Sequence, residues 1–386
     1  MIDPALEQSI RRPAGANVAR VLAVGLVGWF HIWQQSWVGA GRLDPLPRTG
    51  YVWVDLMILL SAFCLTLPYG TDQALNLNFR GTQNFWKRRA VRILPAFYLC
   101  AMVHLVVNLV QQGPKPGIWK DLIGHLTLTH TWSPEGYYLT QMGAQLWTVG
   151  VLAGFYLLFP VLIRGVWSRP GLMLSGLFLV QAGYGIWTLS QEGFAYQMAF
   201  NQLPAFAGVL ALGMAAGFAY PRLALLIRGR MRPLFLLGAA GIFVLIFRVL
   251  KFRISRAEDC QIAQLVQRMP LALLFTGLVL CLCLGMGGAK KRGLLAALCG
   301  IAYSFYLWHQ SIAVWLKQLH IPAWSGDAPP NMLGDQVWMH KYNLLCWAAA
   351  LIAAVLCAEL VEKPTARMLL KPKRTRQAEK ARNLQE

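Results

Sequence analysis

Residues 20–31 read RVLAVGLVGWFH. Apolar or small residues fill the space between an arginine and a histidine, and the run sits inside a longer apolar stretch, 16–35. A helix of about 17–25 such residues crosses the hydrocarbon core of a bilayer. A permanent cation or a titratable ring costs free energy in that core, so each marks a place where function is expected. Eleven steps of about 100° make three turns plus about 20°, which puts Arg20 and His31 on one helix face. At 1.5 Å per residue they stand about 16 Å apart along the axis.

The rest of the 386-residue chain repeats the apolar pattern. It is 56% hydrophobic and only 13% charged, against about 25% charged in soluble domains. Ten blocks are long enough to span: 16–35, 52–70, 91–112, 147–166, 171–189, 200–220, 233–250, 270–288, 295–317 and 342–362. The expected fold is an all-α polytopic membrane protein of about ten transmembrane helices. Residues 1–367 form one integral-membrane domain, followed by a basic tail at 368–386. Arg11 and Arg12 ahead of the first block resemble a signal peptide, but SWVGAG is a poor cleavage site, and an uncleaved first helix is expected.

A net charge of +20 raises nucleic acid as a partner. The basic residues lie between apolar blocks rather than on one domain, so the lipid bilayer is the expected partner and nucleic acid is not. An even span number with Lys87, Arg88, Arg89, Arg164, Arg169 and the basic tail on one side places both termini in the cytoplasm, in a multi-pass protein of the plasma or inner membrane. The stretch 251–268 dissents: it is outside in this topology yet carries Lys251, Arg253, Arg256 and Arg268. Either the topology differs there or that loop meets something anionic. The eight cysteines fit neither a disulfide framework nor a zinc site and read as small buried hydrophobes.

Few charges lie inside or beside the spans. Arg89 and Arg92, in FWKRRAVRILPAFYL, are neighbours on a helix face and suit a phosphate or pyrophosphate. They serve equally as a positive-inside signal or a lipid head-group contact. Asp55 matches His31 in depth on the next span. It either holds the imidazole's tautomer or is a buried acid satisfied by backbone or Ser61. His309, with Trp308 and Tyr306 packed beside it, reads first as a hydrogen-bonded structural residue and second as part of the site. Arg20, Arg89, Arg92 and Glu362 fall at the inner face, with His31, Asp55 and His309 deeper. That layout suits an anionic ligand entering from the cytoplasm and a proton transfer further in. P-loop, G-x-S-x-G and H-E-x-x-H motifs do not occur.

Seven stretches in order, R-x10-H (Arg20, His31), VDLMILLSAF, FWKRRAVRILPAF, LWTVGVLAGFYLLFP, NQLPAFAGVLALG, IAYSFYLWH and VEKP, resemble the membrane acyltransferase-3 family across about residues 18–367. The resemblance implies a ten-span core that moves an acyl group, commonly acetyl from acetyl-CoA, onto a hydroxyl of a sugar or other envelope molecule. His31 then serves in the transfer, Arg20 accompanies it, and Arg89 and Arg92 meet the donor. Acetyl-CoA or another acyl-CoA is a co-substrate, and no tightly bound cofactor is expected. The family pattern has Trp-Ser-Leu, an acid, then Phe-Tyr-Leu. Here Trp147, Phe155 and Tyr156 are kept, Thr148 replaces the serine, and Leu152 and Ala153 stand where acids belong. Ala62 replaces a favoured glycine.

The resulting expectation is an O-acyltransferase. His31 acts as general base or transient nucleophile, Asp55 orients it, and Trp147, His309 and Glu362 contribute on the substrate side. The acceptor is a glycan or a small-molecule hydroxyl. The competing readings are a transporter or flippase of acyl groups or lipid-linked sugars, and an inactive family member acting as a binding subunit. Neither the acyl group, the acceptor nor the oligomeric state is legible.

Overall fold

Inside lipid a backbone has no water to bond to, so a spanning chain must be helical or a closed barrel. The computed structural model describes residues 10–70, 79–227, 229–255, 260–290 and 292–370. Of the described residues 84% are helical, and none lies in a strand. The principal helices are α1 (Ala14–Ser36), α2 (Trp53–Thr66), α3 (Phe79–Gln112), α4 (Ile118–Thr127), α5 (Trp147–Ser168) and α6 (Pro170–Thr188). They continue with α7 (Ala207–Leu226), α8 (Arg232–Ser255), α9 (Cys260–Met286), α10 (Leu294–Gln318), α11 (Gln336–Cys357) and α12 (Lys363–Leu370). A π-helical turn, Ala358–Glu362, joins the last two.

Among the described residues nine helical segments are long and apolar enough to cross a membrane. The block expected at 295–317 is the one that falls short. It is helical as α10, but Ser304, His309, Gln310 and Ser311 interrupt its apolarity. Its 25 residues reach about 37 Å, enough for a core of about 30 Å. It lies against α1 and α11, where protein rather than lipid meets its polar side. On the outer faces, large apolar side chains such as Leu172, Leu179 and Ile186 of α6 stand exposed, as lipid contact requires. Of the tail expected at 368–386, residues 368–370 continue α12 and 371–386 lie outside the described residues.

Three helices outrun their apolar blocks. α3 begins at Phe79 rather than 91, α8 runs to Ser255 rather than 250, and α9 begins at Cys260 rather than 270. Charges end an apolar block but not a helix, provided the charges find partners. This corrects the reading of 251–268 as a basic outer loop. Arg253 and Arg268 are helical and only 6% and 4% exposed. Arg256 lies outside the described residues.

The helix α1 packs on α2, α9, α10 and α11, so both of its functional ends face protein. Beside it α2 meets α7 at very short range. A β-carbon at Gly213 would lie 2.4 Å from the Leu59 carbonyl oxygen, and one at Gly217 2.4 Å from that of Phe63. Such contacts let the two backbones touch. Ala62, fully buried, sits in the same seam opposite Gly213.

The segment between α3 and α5 is tied down by a buried polar cluster. Asp121 accepts from His125 Nδ1 (2.9 Å), from the Thr140 hydroxyl (2.9 Å) and from the Gln141 backbone N–H (2.7 Å). Burial pushes His130 down to about 3, so its ring is neutral, and its Nε2–H donates to the Leu146 carbonyl (3.1 Å). These bonds deliver Gln145 and Trp147 to the start of α5. Gln145 Nε2 then donates to the Leu307 carbonyl (2.8 Å) and to Ser311 Oγ (2.7 Å), which locks the segment to α10.

The glycine seam sets a stability test. Gly217→Leu is expected to push α7 off α2 and cost about 1–3 kcal/mol, read as a lower unfolding temperature in detergent. Gly25→Ala, where nothing lies within 4 Å, leaves the unfolding temperature unchanged or raises it.

Candidate functional site

Two cavities flank α1. The first, about 330 Å³, is lined by Arg20 of α1 and by Arg89 and Arg92 of α3. No carboxylate is among its lining residues. Arg20 donates to Asn17 Oδ1 (3.3 Å) and reaches Cys64 Sγ (3.5 Å). Arg89 lies over the Phe85 ring, and its Nε is buried without a hydrogen-bond partner among the described residues. Three guanidinium groups lining one space could hold an anion with several oxygens.

The second cavity, about 180 Å³, is lined by His31, Asp55, Trp147, Asn201, Gln264 and Arg268, among others. One side chain, Tyr306 of α10, lines both cavities. Its hydroxyl donates to the Gln145 carbonyl (2.7 Å) and accepts from Thr148 Oγ1 (2.6 Å). Thr148 therefore keeps the hydroxyl that a serine would bring.

The partner of His31 is not the one expected. His31 Nδ1 lies 2.8 Å from His309 Nε2, and His309 Nδ1 lies 3.1 Å from the Phe305 carbonyl oxygen. A carbonyl only accepts, so His309 carries its proton on Nδ1. In its neutral form its Nε2 must then accept, and His31 must donate from Nδ1. That leaves the lone pair of His31 on Nε2. His309 is fully buried and stacked on Phe305, 5.6 Å between ring centroids. It is not among the lining residues of either cavity and bonds His31 instead.

Asp55 shares the cavity with His31 but is bonded elsewhere. Arg268 Nε donates to Asp55 Oδ2 (3.4 Å), and its Nη1 donates to the carbonyls of Phe200 (3.0 Å) and Ala205 (3.3 Å). The guanidinium also lies over the Phe206 ring, 4.2 Å from its centroid, and Phe206 stacks on Trp147. Arg253 lies over Tyr51, another wall residue. The expected bond from Asp55 to His31 is thus replaced by a buried ion pair, because a guanidinium neutralises a carboxylate in apolar surroundings and a neutral imidazole does not. Ser61, the other candidate partner of Asp55, instead meets the Tyr156 hydroxyl (3.4 Å).

Glu362 lies in the π-helical turn and accepts from Ser304 Oγ. It is not among the lining residues of either cavity, although Arg92 is within its electrostatic reach. Of the two positions where acids were expected, Leu152 lines the arginine cavity and Ala153 lines a neighbouring groove. Sequence reasoning missed Arg268 and Tyr306 as site residues. A lone arginine within QLVQRMPLALLF was a signal for the first. A tyrosine in an aromatic-rich helix offered none for the second.

Removing one member of a buried ion pair strands the other. Asp55→Ala is expected to cost about 3–5 kcal/mol in the unfolding free energy measured in detergent. The double variant Asp55→Leu with Arg268→Met recovers most of that loss.

A family model described as an acyltransferase domain, of the acyltransferase-3 type, matches residues 14–361. Two curated proteins are similar over part of their length. Acyltransferase MdmB of Streptomyces mycarofaciens is 26% identical over 170 residues, 40% of this chain and 42% of that protein. YrhL of Bacillus subtilis (strain 168), provisionally named a peptidoglycan O-acetyltransferase, is 31% identical over 152 residues, 34% of this chain and 23% of that protein. The chain thus matches less than half the length of either relative. No solved structure matches it.

Proposed function

Because the chain belongs to the acyltransferase-3 family, we propose that it is a multi-pass membrane O-acyltransferase. It moves an acyl group from an acyl-CoA, bound from the cytoplasmic side, to a hydroxyl of a cell-envelope glycan or related acceptor. The observation that carries this reading is the pairing of two cavities across Tyr306: one lined by three arginines, the other by a histidine with a free Nε2 lone pair. The positive-inside pattern supports a cytoplasmic arginine cavity and cytoplasmic termini in the plasma or inner membrane. The name given to YrhL supports peptidoglycan as one acceptor class.

The phosphates of CoA lie on Arg20, Arg89 and Arg92, and its long flexible arm follows α1 for the roughly 16 Å to His31. The thioester passes Tyr306, and the acceptor hydroxyl enters the second cavity. His31 Nε2 takes the hydroxyl proton as the oxygen bonds to the acyl carbon. The carbon–sulfur bond breaks, and the CoA thiolate takes the proton back from the imidazolium. His309 does not touch substrate. It sets the tautomer of His31 and shares the charge that forms there.

With labelled acyl-CoA and envelope acceptor, His31→Ala is expected to lower turnover about 10²–10⁴-fold at unchanged protein level and unchanged donor binding. Transfer at the wild-type rate overturns the assignment, and mass spectrometry of envelope glycans from the two strains identifies the acceptor.

His309 acts through position, and its variants separate that role from packing. His309→Phe fills the space without an acceptor and is expected to lower kcat about 10–100-fold, with KM for the donor unchanged. His309→Gln, whose Oε1 can accept from His31, retains most of the rate. Equal loss in both variants counts against the role.

A further inference from the structure

Beside the arginine cavity a third space opens, a groove of about 140 Å³ between α3 and α5. Four residues line both: Arg89, Ile93, Val149 and Tyr156. The other walls are Trp86, Ala90 and Leu94 from α3, Leu128, and Ala153 and Leu157 from α5. The groove carries no carboxylate in its lining, and its one charge, Arg89, belongs equally to the arginine cavity. Trp86 closes one side by donating its Nε1–H to the Tyr156 carbonyl (3.1 Å), which ties α3 to α5 at that level. Leu157, largely exposed, puts the same groove on the outer face of the bundle.

A cationic chamber and an apolar groove that share walls fit one molecule with an anionic head and an apolar tail. Leu152 lines the chamber and Ala153 the groove, so α5 presents apolar surface to both spaces. A carboxylate at position 153 would stand where a hydrocarbon tail can lie, at the cost of burying a charge beside it. Ala153 instead leaves room.

We propose that this groove seats the hydrocarbon tail of the acyl donor, so that the chain prefers an acyl-CoA with several methylenes over acetyl-CoA. The inference rests on the reading of the arginine cavity as the CoA site. In the bound donor, before the thioester passes Tyr306, the phosphates stay on the arginines, the thioester rests on the arginine side of Tyr306, and the tail leaves the chamber past Ile93 and Val149 and lies along Ala90 and Ala153.

The test is equilibrium binding of CoA, acetyl-CoA, butyryl-CoA and hexanoyl-CoA to the full chain in lipid nanodiscs. Affinity is expected to rise about fourfold per added methylene (about 0.8 kcal/mol each). In Ala153→Trp the groove is filled, and affinity is expected to become independent of chain length while CoA and acetyl-CoA bind as in the wild type. Ala90→Phe blocks the opposite wall and serves the same purpose if the first variant does not fold. Equal affinity for all acyl-CoAs in the wild type overturns the inference while leaving the CoA site intact, and is also the outcome if a membrane phospholipid fills the groove. Failure of every CoA species to bind overturns the CoA reading itself and the inference with it.

Discussion

Hydrocarbon offers nothing to an ionised side chain, and that constraint organises the interior of this protein. Asp55 on α2 is held by Arg268 on α9, whose Nη1 donates to the Phe200 and Ala205 carbonyls. A guanidinium with several donors neutralises the acid and also binds chain ends that helices leave unsatisfied. The pair therefore links the middle of the bundle to the start of α7. It also forms one wall of the histidine cavity, so the pairing that makes a charge tolerable supplies a polar lining.

The histidines obey the same rule with a different solution. Among the described residues neither His31 nor His309 has a carboxylate partner, and the chain of bonds ends on a helix carbonyl at Phe305. Neutral imidazoles satisfy each other in series, and the direction of the series is dictated by the one group that cannot donate. The consequence is a lone pair on His31 Nε2, on a ring that lines the second cavity and cannot turn over without breaking the bond to His309. The two rings thus add no charge to a cavity whose wall already holds the Asp55–Arg268 pair.

Tyr306 separates the two chambers, and its hydroxyl is committed on both sides, to the Gln145 carbonyl and to Thr148. The segment that carries Gln145 is in turn held by Asp121 and His130. The wall between the two chambers thus depends on a polar cluster outside the spans. On the arginine side, having Leu152 and Ala153 where acids were expected does not leave a gap. It makes the face of α5 apolar where two cavities meet.

Hydropathy and helical phase determined a good deal without a structure. Long apolar blocks in lipid have one economical backbone solution, so the helices were legible. The common face of Arg20 and His31, and the proximity of Arg89 and Arg92, follow from a fixed 3.6-residue period. Block ends were misjudged at 91, 250 and 270, because a cation ends an apolar run but a buried partner lets the helix continue through it. Partnership itself was not legible. Asp55 matched His31 in depth, yet it bonds Arg268, from more than two hundred residues later in the chain. His309, equally remote, took the place beside His31. Helical period acts along one segment, whereas which charges neutralise each other depends on which helices touch, and only the packed bundle decided that.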